Sequence, residues 1–237
     1  MFKTILIDLD DTLWATQQNN KEAIHQLYSE KGWSVAYPSF DAFWEIYYPH
    51  NELLWHRYRH GEINKMELTL QRLRVPLEPV KAYTDEELLE INDLFLQITS
   101  RKSGVIPGAI ELLQYLKTLY KVVVVSNGFV EVQQQKMSSA GLTQYIDHTV
   151  LSEEVGVSKP YKEIFDRALS ISHTRRAEAI MIGDSWDADI MGAQNSKLKS
   201  IWFNPEHTPP PISIEELRYP VTIVERMDEI PPLLLKL

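Results

Sequence analysis

An α/β fold, a parallel sheet interrupted near its start by a helical insertion, is predicted by three features of the 237-residue sequence. The first is the β-type run Thr4 to Ile7, which has no turn residue and fits a strand buried on both faces of a parallel sheet. The second is the alternation of helix and strand patterns from Val105 onward, the signature of βαβ units. The third lies between them, because no β pattern returns until Val122 and the intervening chain reads as helix upon helix. The expected organisation is a Rossmann-like parallel-sheet core from 1–13 and 104–237, with an α-helical domain inserted at 14–103. An insertion of about 90 residues is an ordinary domain size.

The elements follow in order. The first strand ends abruptly in Asp8-Leu9-Asp10-Asp11-Thr12. In the insertion, Lys21 to Lys31 predicts a helix stopped by Gly32, and Ser39 caps a second carrying Phe43, Trp44 and Tyr47. Asn64 with Glu67, and Thr84 with Glu87, have the spacing of capping boxes. Leu88, Ile91, Phe95 and Ile98 then fall on one helical face, and Lys102-Ser103-Gly104 returns the chain to the core. Pro107-Gly108 introduces a helix through Leu119, and Val122 to Val125 is a buried strand ending in Ser126-Asn127-Gly128. A helix near Gln133 to Ala140, a short strand at His148 to Leu151, and a helix opened by Lys159-Pro160 come next. Ala179 to Ile182 is a strand ending in Gly183-Asp184-Ser185, Ser200 to Phe203 is another, and Pro209 to Pro211 marks a surface loop.

Composition narrows the function. Hydrophobic residues at 44% and charged residues at 24% are those of a globular chain able to bury a core. A net charge of −9 with no basic stripe argues against a nucleic-acid partner and leaves small anions as ligands. There is no cysteine, so disulfides, thiol catalysis and cysteine metal ligands are excluded. No apolar run has the length of a secretion signal or a membrane span, and the expectation is a cytoplasmic protein with no membrane partner. Monomer and homodimer both stay open.

Ligands of open α/β sheets bind beyond the carboxyl ends of the strands, where the acids after Ile7 stand. Clustered carboxylates repel one another, so such a point favours a cation, and all-oxygen ligands suit Mg²⁺. A phosphate dianion and a carboxylate nucleophile repel by about 4 kcal/mol at 4 Å and an effective dielectric of 20, so phosphoryl chemistry here needs added positive charge. Lys159 and Mg²⁺ can supply it, while Ser126 and the main-chain N–H groups of Asn127 and Gly128 can donate to phosphoryl oxygens. The plainer alternatives are an Asp-rich turn with Thr12 as a helix cap, Ser126 and Asn127 as turn formers, and Lys159 as a solvated side chain.

Four strand ends or loops carry these groups in order: Asp8-Leu9-Asp10-Asp11-Thr12, Ser126-Asn127-Gly128, Lys159-Pro160, and Gly183-Asp184 with Asp189 five positions on. The set resembles the haloacid dehalogenase superfamily, with its Asp-x-Asp-x-Thr, Ser or Thr, Lys, and Gly-Asp-x-x-x-x-Asp motifs. The resemblance implies that Asp8 attacks phosphorus to form an aspartyl phosphate, while Asp10 protonates the leaving oxygen and then activates water. It also implies Mg²⁺ ligation by the Asp8 side chain, the Asp10 main-chain carbonyl and the Asp184 side chain, with Asp189 orienting Lys159 or a metal-bound water. Members that break carbon–halogen bonds lack the second acid, so Asp10 argues against dehalogenation. A β-phosphoglucomutase-like phosphotransferase is the rival enzyme, and a catalytically silent binding protein is the rival from another class.

The insertion resembles the helical cap of this family. Asn51, Trp55, Arg57, Tyr58 and Gly61, with Arg72 beyond, resemble the cap of members acting on pyrimidine nucleoside monophosphates. Trp14, Asn51 and Trp55 are the expected leaving-group contacts, and the substrate expected is a small phosphorylated metabolite. Against this, aromatic residues such as Trp44 and Trp55 on helices belong more often to cores.

Overall fold

A computed structural model describes residues 2–236. The chain divides into two compact units, one holding residues up to Thr16 and again from Ser103, the other Gln17–Lys102. Leu13 to Thr16 stay with the first unit because the returning chain bonds to them: Ile106 N–H donates to Leu13 O at 3.0 Å and Ala15 N–H to Gly104 O at 3.1 Å.

The helical unit is formed by α1 (Thr16–Glu30), α2 (Phe40–Arg59), α3 (Lys65–Leu77) and α4 (Asp85–Ser100). Their starts follow from capping chemistry. Ser39 Oγ accepts from Ala42 N–H, and Asn64 with Glu67 and Thr84 with Glu87 form reciprocal capping boxes. The core of the unit is largely aromatic, with Trp33, Phe43, Tyr47 and Phe95 buried beside Leu73, Leu77, Leu88 and Ile91. Trp44 is partly buried against it and stacks on Tyr48 at 5.2 Å, as a core aromatic would. Helix α1 starts five residues before the predicted Lys21, since Thr16 to Asn20 carry no apolar periodicity to reveal it.

The other unit carries β1 (Thr4–Ile7), β2 (Lys121–Ser126), β3 (His148–Leu151), β4 (Ala179–Gly183), β5 (Lys199–Phe203) and β6 (Val221–Val224). All neighbours are parallel, in the order β3-β2-β1-β4-β5-β6. This is the α/β, Rossmann-like core expected, and its strand order reverses beside β1, where such sheets open a crevice. Alternate residues serve opposite faces. Ile5, Ile7, Val122, Val124, Ile180 and Ile182 join one core with Leu112, Leu113 and Leu116 of α5 (Ala109–Leu119). Leu6, Val123, Val125 and Met181 join another with Ile164, Phe165 and Ala168. Two apolar faces explain the unbroken valine run, each such side chain contributing about 1.5–3 kcal/mol on burial.

The remaining helices are α6 (Val130–Ser139), the single turn α7 (Ser152–Val155), α8 (Lys162–Ile171), α9 (Met191–Asn195) and α10 (Ile230–Leu234). Two features depart from expectation. Helix α8 begins at Lys162, not Pro160, because Tyr161 is its extended N-cap residue. Strand β6 lies outside the expected elements although Val221 to Val224 are all β-branched; at this sheet edge Val221 and Thr222 are partly covered and Ile223 is exposed.

Candidate active site

In the sheet register, Ile7 stands level with Val124 of β2 and Ile182 of β4, so the three strands end at nearly one height. Asp8 leaves β1 there, beside the last residues of the other two, Ser126 and Gly183. Two groups of polar residues form around this edge, one about Asp8 and one about Asp10.

Around Asp8 the site is acidic. Lys159 Nζ donates to Asp8 Oδ1, and to Asp189 Oδ1 at 2.7 Å; all three residues are buried. Oxygens of Asp8, Asp184 and Asp189 lie within 4.8 Å of one another. Thr12, wholly buried, donates to Asp184 Oδ1 at 2.9 Å and accepts the Asp184 N–H at 3.0 Å. Its hydroxyl therefore holds Asp184 rather than capping a helix or facing a substrate. Asn127 grips the main chain of Lys159, accepting its N–H at 2.7 Å and donating to its carbonyl at 3.0 Å. Gly183 must lack a side chain, because a Cβ there would overlap the Asp189 carboxylate.

Burial pushes the Asp8 carboxyl up to about 7; Lys159 pulls it down, and Asp189 and Asp10 repel it further. Burial also raises Asp184, reinforced by Asp8, Asp189 and Asp11. For Lys159 burial opposes the charge, yet the attraction of Asp189 and Asp8 outweighs it and the ammonium is held above its ordinary range. The two partners of one ion pair thus both shift upward. Asp8 is shared among too many acids, while Lys159 has two of them. Three carboxylates against one ammonium leave two negative charges, and an all-oxygen donor set of that charge fits a hard divalent cation such as Mg²⁺.

Around Asp10 the balance differs. Asp10 Oδ1 accepts from Lys136 Nζ at 2.6 Å and Thr16 Oγ1 at 2.8 Å; Oδ2 accepts from Gln133 Nε2 and from Ser126 Oγ at 3.3 Å. Burial alone would raise this carboxyl, but the Lys136 charge and the bonds from Lys136, Thr16 and Gln133 lower it below the ordinary value. Gly128 N–H donates to Ser126 Oγ at 3.1 Å.

Trp14 is also here, wholly buried in the sheet core with Lys136 Nζ 4.3 Å from its ring centre. That burial leaves no open indole face for a leaving group. Asn51 and Trp55 lie on α2 of the helical unit, Asn51 buried and Trp55 in edge contact with Tyr58 at 5.7 Å.

Sequence reasoning missed Thr16, Gln133 and Lys136. A signal existed for the last two: Val132, Gln133, Lys136 and Met137 are the buried positions of α6, so the inward phase of the helix carries an amide and an ammonium between apolar residues.

With this geometry in view, comparison with known proteins is specific. The haloacid dehalogenase-like hydrolase family matches residues 2–197. Pyrimidine 5'-nucleotidase YjjG of Escherichia coli is 31% identical, covering 98% of this chain and 97% of its own. Pyrimidine 5'-nucleotidase PynA of Streptococcus pneumoniae is 29% identical, covering 87% and 85% respectively. The crystal structure of the HAD-hydrolase YfnB from Bacillus subtilis, bound to magnesium, shares the fold with a TM-score of 0.85 at 23% identity, over 98% of each chain. A family match spanning the sheet edge and every group around it makes this chain a member of the haloacid dehalogenase-like hydrolases.

Proposed function

We propose that this hydrolase is a Mg²⁺-dependent phosphatase of small phosphate monoesters, acting on nucleoside 5'-monophosphates, pyrimidine ones first, through an aspartyl phosphate on Asp8. The observation that carries the reading is the division of labour between Asp8 and Asp10, two residues apart. Asp8 sits in an acidic cluster with Lys159, while Asp10 is turned to Ser126 and α6. Mg²⁺ would be held by Asp8, the Asp10 carbonyl and Asp184, and would neutralise the charge that keeps a dianion away from a carboxylate.

Asp8 is the nucleophile. One of its oxygens bonds to phosphorus as the phosphorus–ester oxygen bond breaks, with Lys159 balancing the charge gathered at the phosphoryl group. Asp10 gives its proton to the departing oxygen. A water then attacks phosphorus and passes a proton back to Asp10, releasing inorganic phosphate and restoring the Asp8 carboxylate. Asp10 rests ionised in this arrangement; the approach of a phosphate dianion raises its proton affinity, and it takes up a proton from solvent water before the first step. Asp189 and Asn127 position Lys159, and Thr12 positions Asp184.

The base preference rests on the two nucleotidase relatives, and the expected setting is the cytoplasm. The test is kcat/KM for UMP, dTMP, AMP and glucose phosphates with and without Mg²⁺, together with an assay for isomerisation of glucose 1-phosphate. Pyrimidine nucleotides should lead by about tenfold, the scale of one favourable base contact. Sugar phosphates ahead by the same margin would overturn the nucleotidase reading, and isomerisation faster than phosphate release would assign a mutase.

A further inference from the structure

Gln133 has no part in the chemistry so far, yet no polar side chain at the site is more constrained. It is wholly buried, and its Nε2 donates to Asp10 Oδ2 and to Ser126 Oγ, the latter at 2.6 Å. The amide orientation is forced: turned over, its oxygen would face a carboxylate that can only accept. Its own Oε1 then has no partner, an arrangement that disfavours folding. Gly128 is shaped to it, since a Cβ at that position would overlap the Gln133 amide. A residue that leaves an acceptor buried and unsatisfied, in a loop hollowed to admit it, is explained by what its two N–H groups hold.

Those groups settle two orientations together. Ser126 Oγ accepts from Gln133 and from Gly128 N–H, which uses both of its lone pairs and directs its one proton to Asp10 Oδ2. Asp10 Oδ1 is fixed separately by Lys136, one helical turn beyond Gln133 on α6. The carboxylate is thus held at both oxygens from one helix, and Gln133, bonded to both Asp10 and Ser126, braces the direct Ser126–Asp10 bond that ties it to the end of β2.

We propose that Gln133 is a positioning residue for proton transfer by Asp10, fixing the carboxylate in the rotamer from which its proton reaches the leaving oxygen as the phosphorus–oxygen bond breaks. This rests on the reading of Asp10 as the acid given above. The consequence is a dependence on the leaving group. An alkoxide needs the proton and 4-nitrophenolate does not, so misplacing Asp10 slows alkyl esters selectively.

The experiment compares kcat/KM for a nucleoside monophosphate and for 4-nitrophenyl phosphate in wild type, Gln133→Leu and Asp10→Asn, with thermal midpoints alongside. This constant covers events up to departure of the leaving group. In Gln133→Leu the alkyl ester should lose about 10- to 100-fold and the aryl ester less than about threefold. The thermal midpoint should change little, because loss of the bonds to Asp10 and Ser126 is offset by removal of an unsatisfied buried acceptor. Equal losses on both esters would assign Gln133 to phosphoryl binding through Ser126 and overturn the proposal, as would a lowered midpoint with the ratio unchanged. Should Gln133→Leu not fold, Gln133→Met, which keeps the chain length and removes the donors, reads the same ratio. Selectivity in Asp10→Asn without selectivity in the Gln133 variant overturns this proposal alone. No selectivity in Asp10→Asn overturns the reading of Asp10 and this proposal with it.

Discussion

Two halves of one site, centred on residues two apart, solve opposite electrostatic problems. Around Asp8, the buried Asp8 and Asp189 share one ammonium with the half-buried Asp184 close by, and burial with mutual repulsion lifts Asp8 to about 7. Around Asp10, one carboxylate faces Lys136, Thr16, Gln133 and Ser126, and burial is outweighed so that it stays ionised. One half carries more acids than its single ammonium can balance, a donor set that a divalent cation fits. The other is already neutral, and its charge is fixed in place by helix α6. The difference teaches that neighbours can outweigh burial in setting an acid's charge: desolvation opposes ionisation of both groups, and only Asp10 has donors enough to overcome it.

The largest effect should come from the nucleophile. Asp8→Asn is expected to lower turnover by about 10⁴-fold or more, the scale for removing a nucleophile, with unchanged circular dichroism. Because it removes one of the repelling acids, it should also raise the thermal midpoint of the metal-free protein. Turnover near wild type would remove Asp8 from the mechanism and with it the contrast between the halves.

Asp10→Asn should cost about 10² to 10⁴ in rate, as loss of a general acid and base does, while Mg²⁺ affinity by calorimetry stays close to wild type. The asparagine keeps the main-chain carbonyl and alters only a carboxylate whose partners are Lys136, Gln133, Thr16 and Ser126. Parallel losses of affinity and rate would place the Asp10 side chain on the cation and merge the two halves.

Next in size is the pH dependence of stability, where the halves have opposite signs. Folded Asp8 keeps its proton up to about 7, whereas unfolded Asp8 releases it near 3.8. Across that interval the folded state binds more protons, so the metal-free protein loses stability as pH rises through it. Asp10 is lowered, so its contribution is present above 3.8 and is lost as pH falls below. The metal-free thermal midpoint should therefore drop between about pH 5 and 7.5, recover with Mg²⁺, which binds the folded state, and drop less in Asp8→Asn. A metal-free midpoint that rises over the same range would show that Asp8 is ionised well below 7.

The sequence discloses these halves unequally. Asp8, Asp10, Lys159, Asp184 and the six-strand region's first five strands are visible because buried parallel strands are apolar runs and their ends are marked by sudden polarity. The helical starts at Ser39, Asn64 and Thr84 are visible because capping is local. Gln133 and Lys136 are hidden because Gln133-Gln134-Gln135-Lys136 looks like a solvated face until the phase set by Val132 and Met137 is known. Trp14 is harder still: its place beside the catalytic loop suggests a ligand contact, and only tertiary packing reveals it as core beneath Lys136.

The smallest effects sharpen the comparison most, since they apply one change to both halves. Thr12→Val and Thr16→Val each remove a hydroxyl that donates to an acid, Thr12 to Asp184 Oδ1 at 2.9 Å and Thr16 to Asp10 Oδ1 at 2.8 Å. Each loss of a hydrogen bond to a charged group is worth about 1.5–3 kcal/mol locally. In the Asp10 half, Lys136 still holds the same oxygen, so Thr16→Val should change rate modestly and leave Mg²⁺ affinity alone. In the Asp8 half, Asp184 is already raised by burial and by three neighbouring acids, and losing Thr12 raises it further. A proton then competes better with the cation. Thr12→Val should weaken Mg²⁺ binding, more at pH 6 than at pH 8, where proton competition fades. Equal Mg²⁺ affinities for the two variants across that range would mean that Asp184 is not held by the cation, and the acidic half would lose its stated purpose.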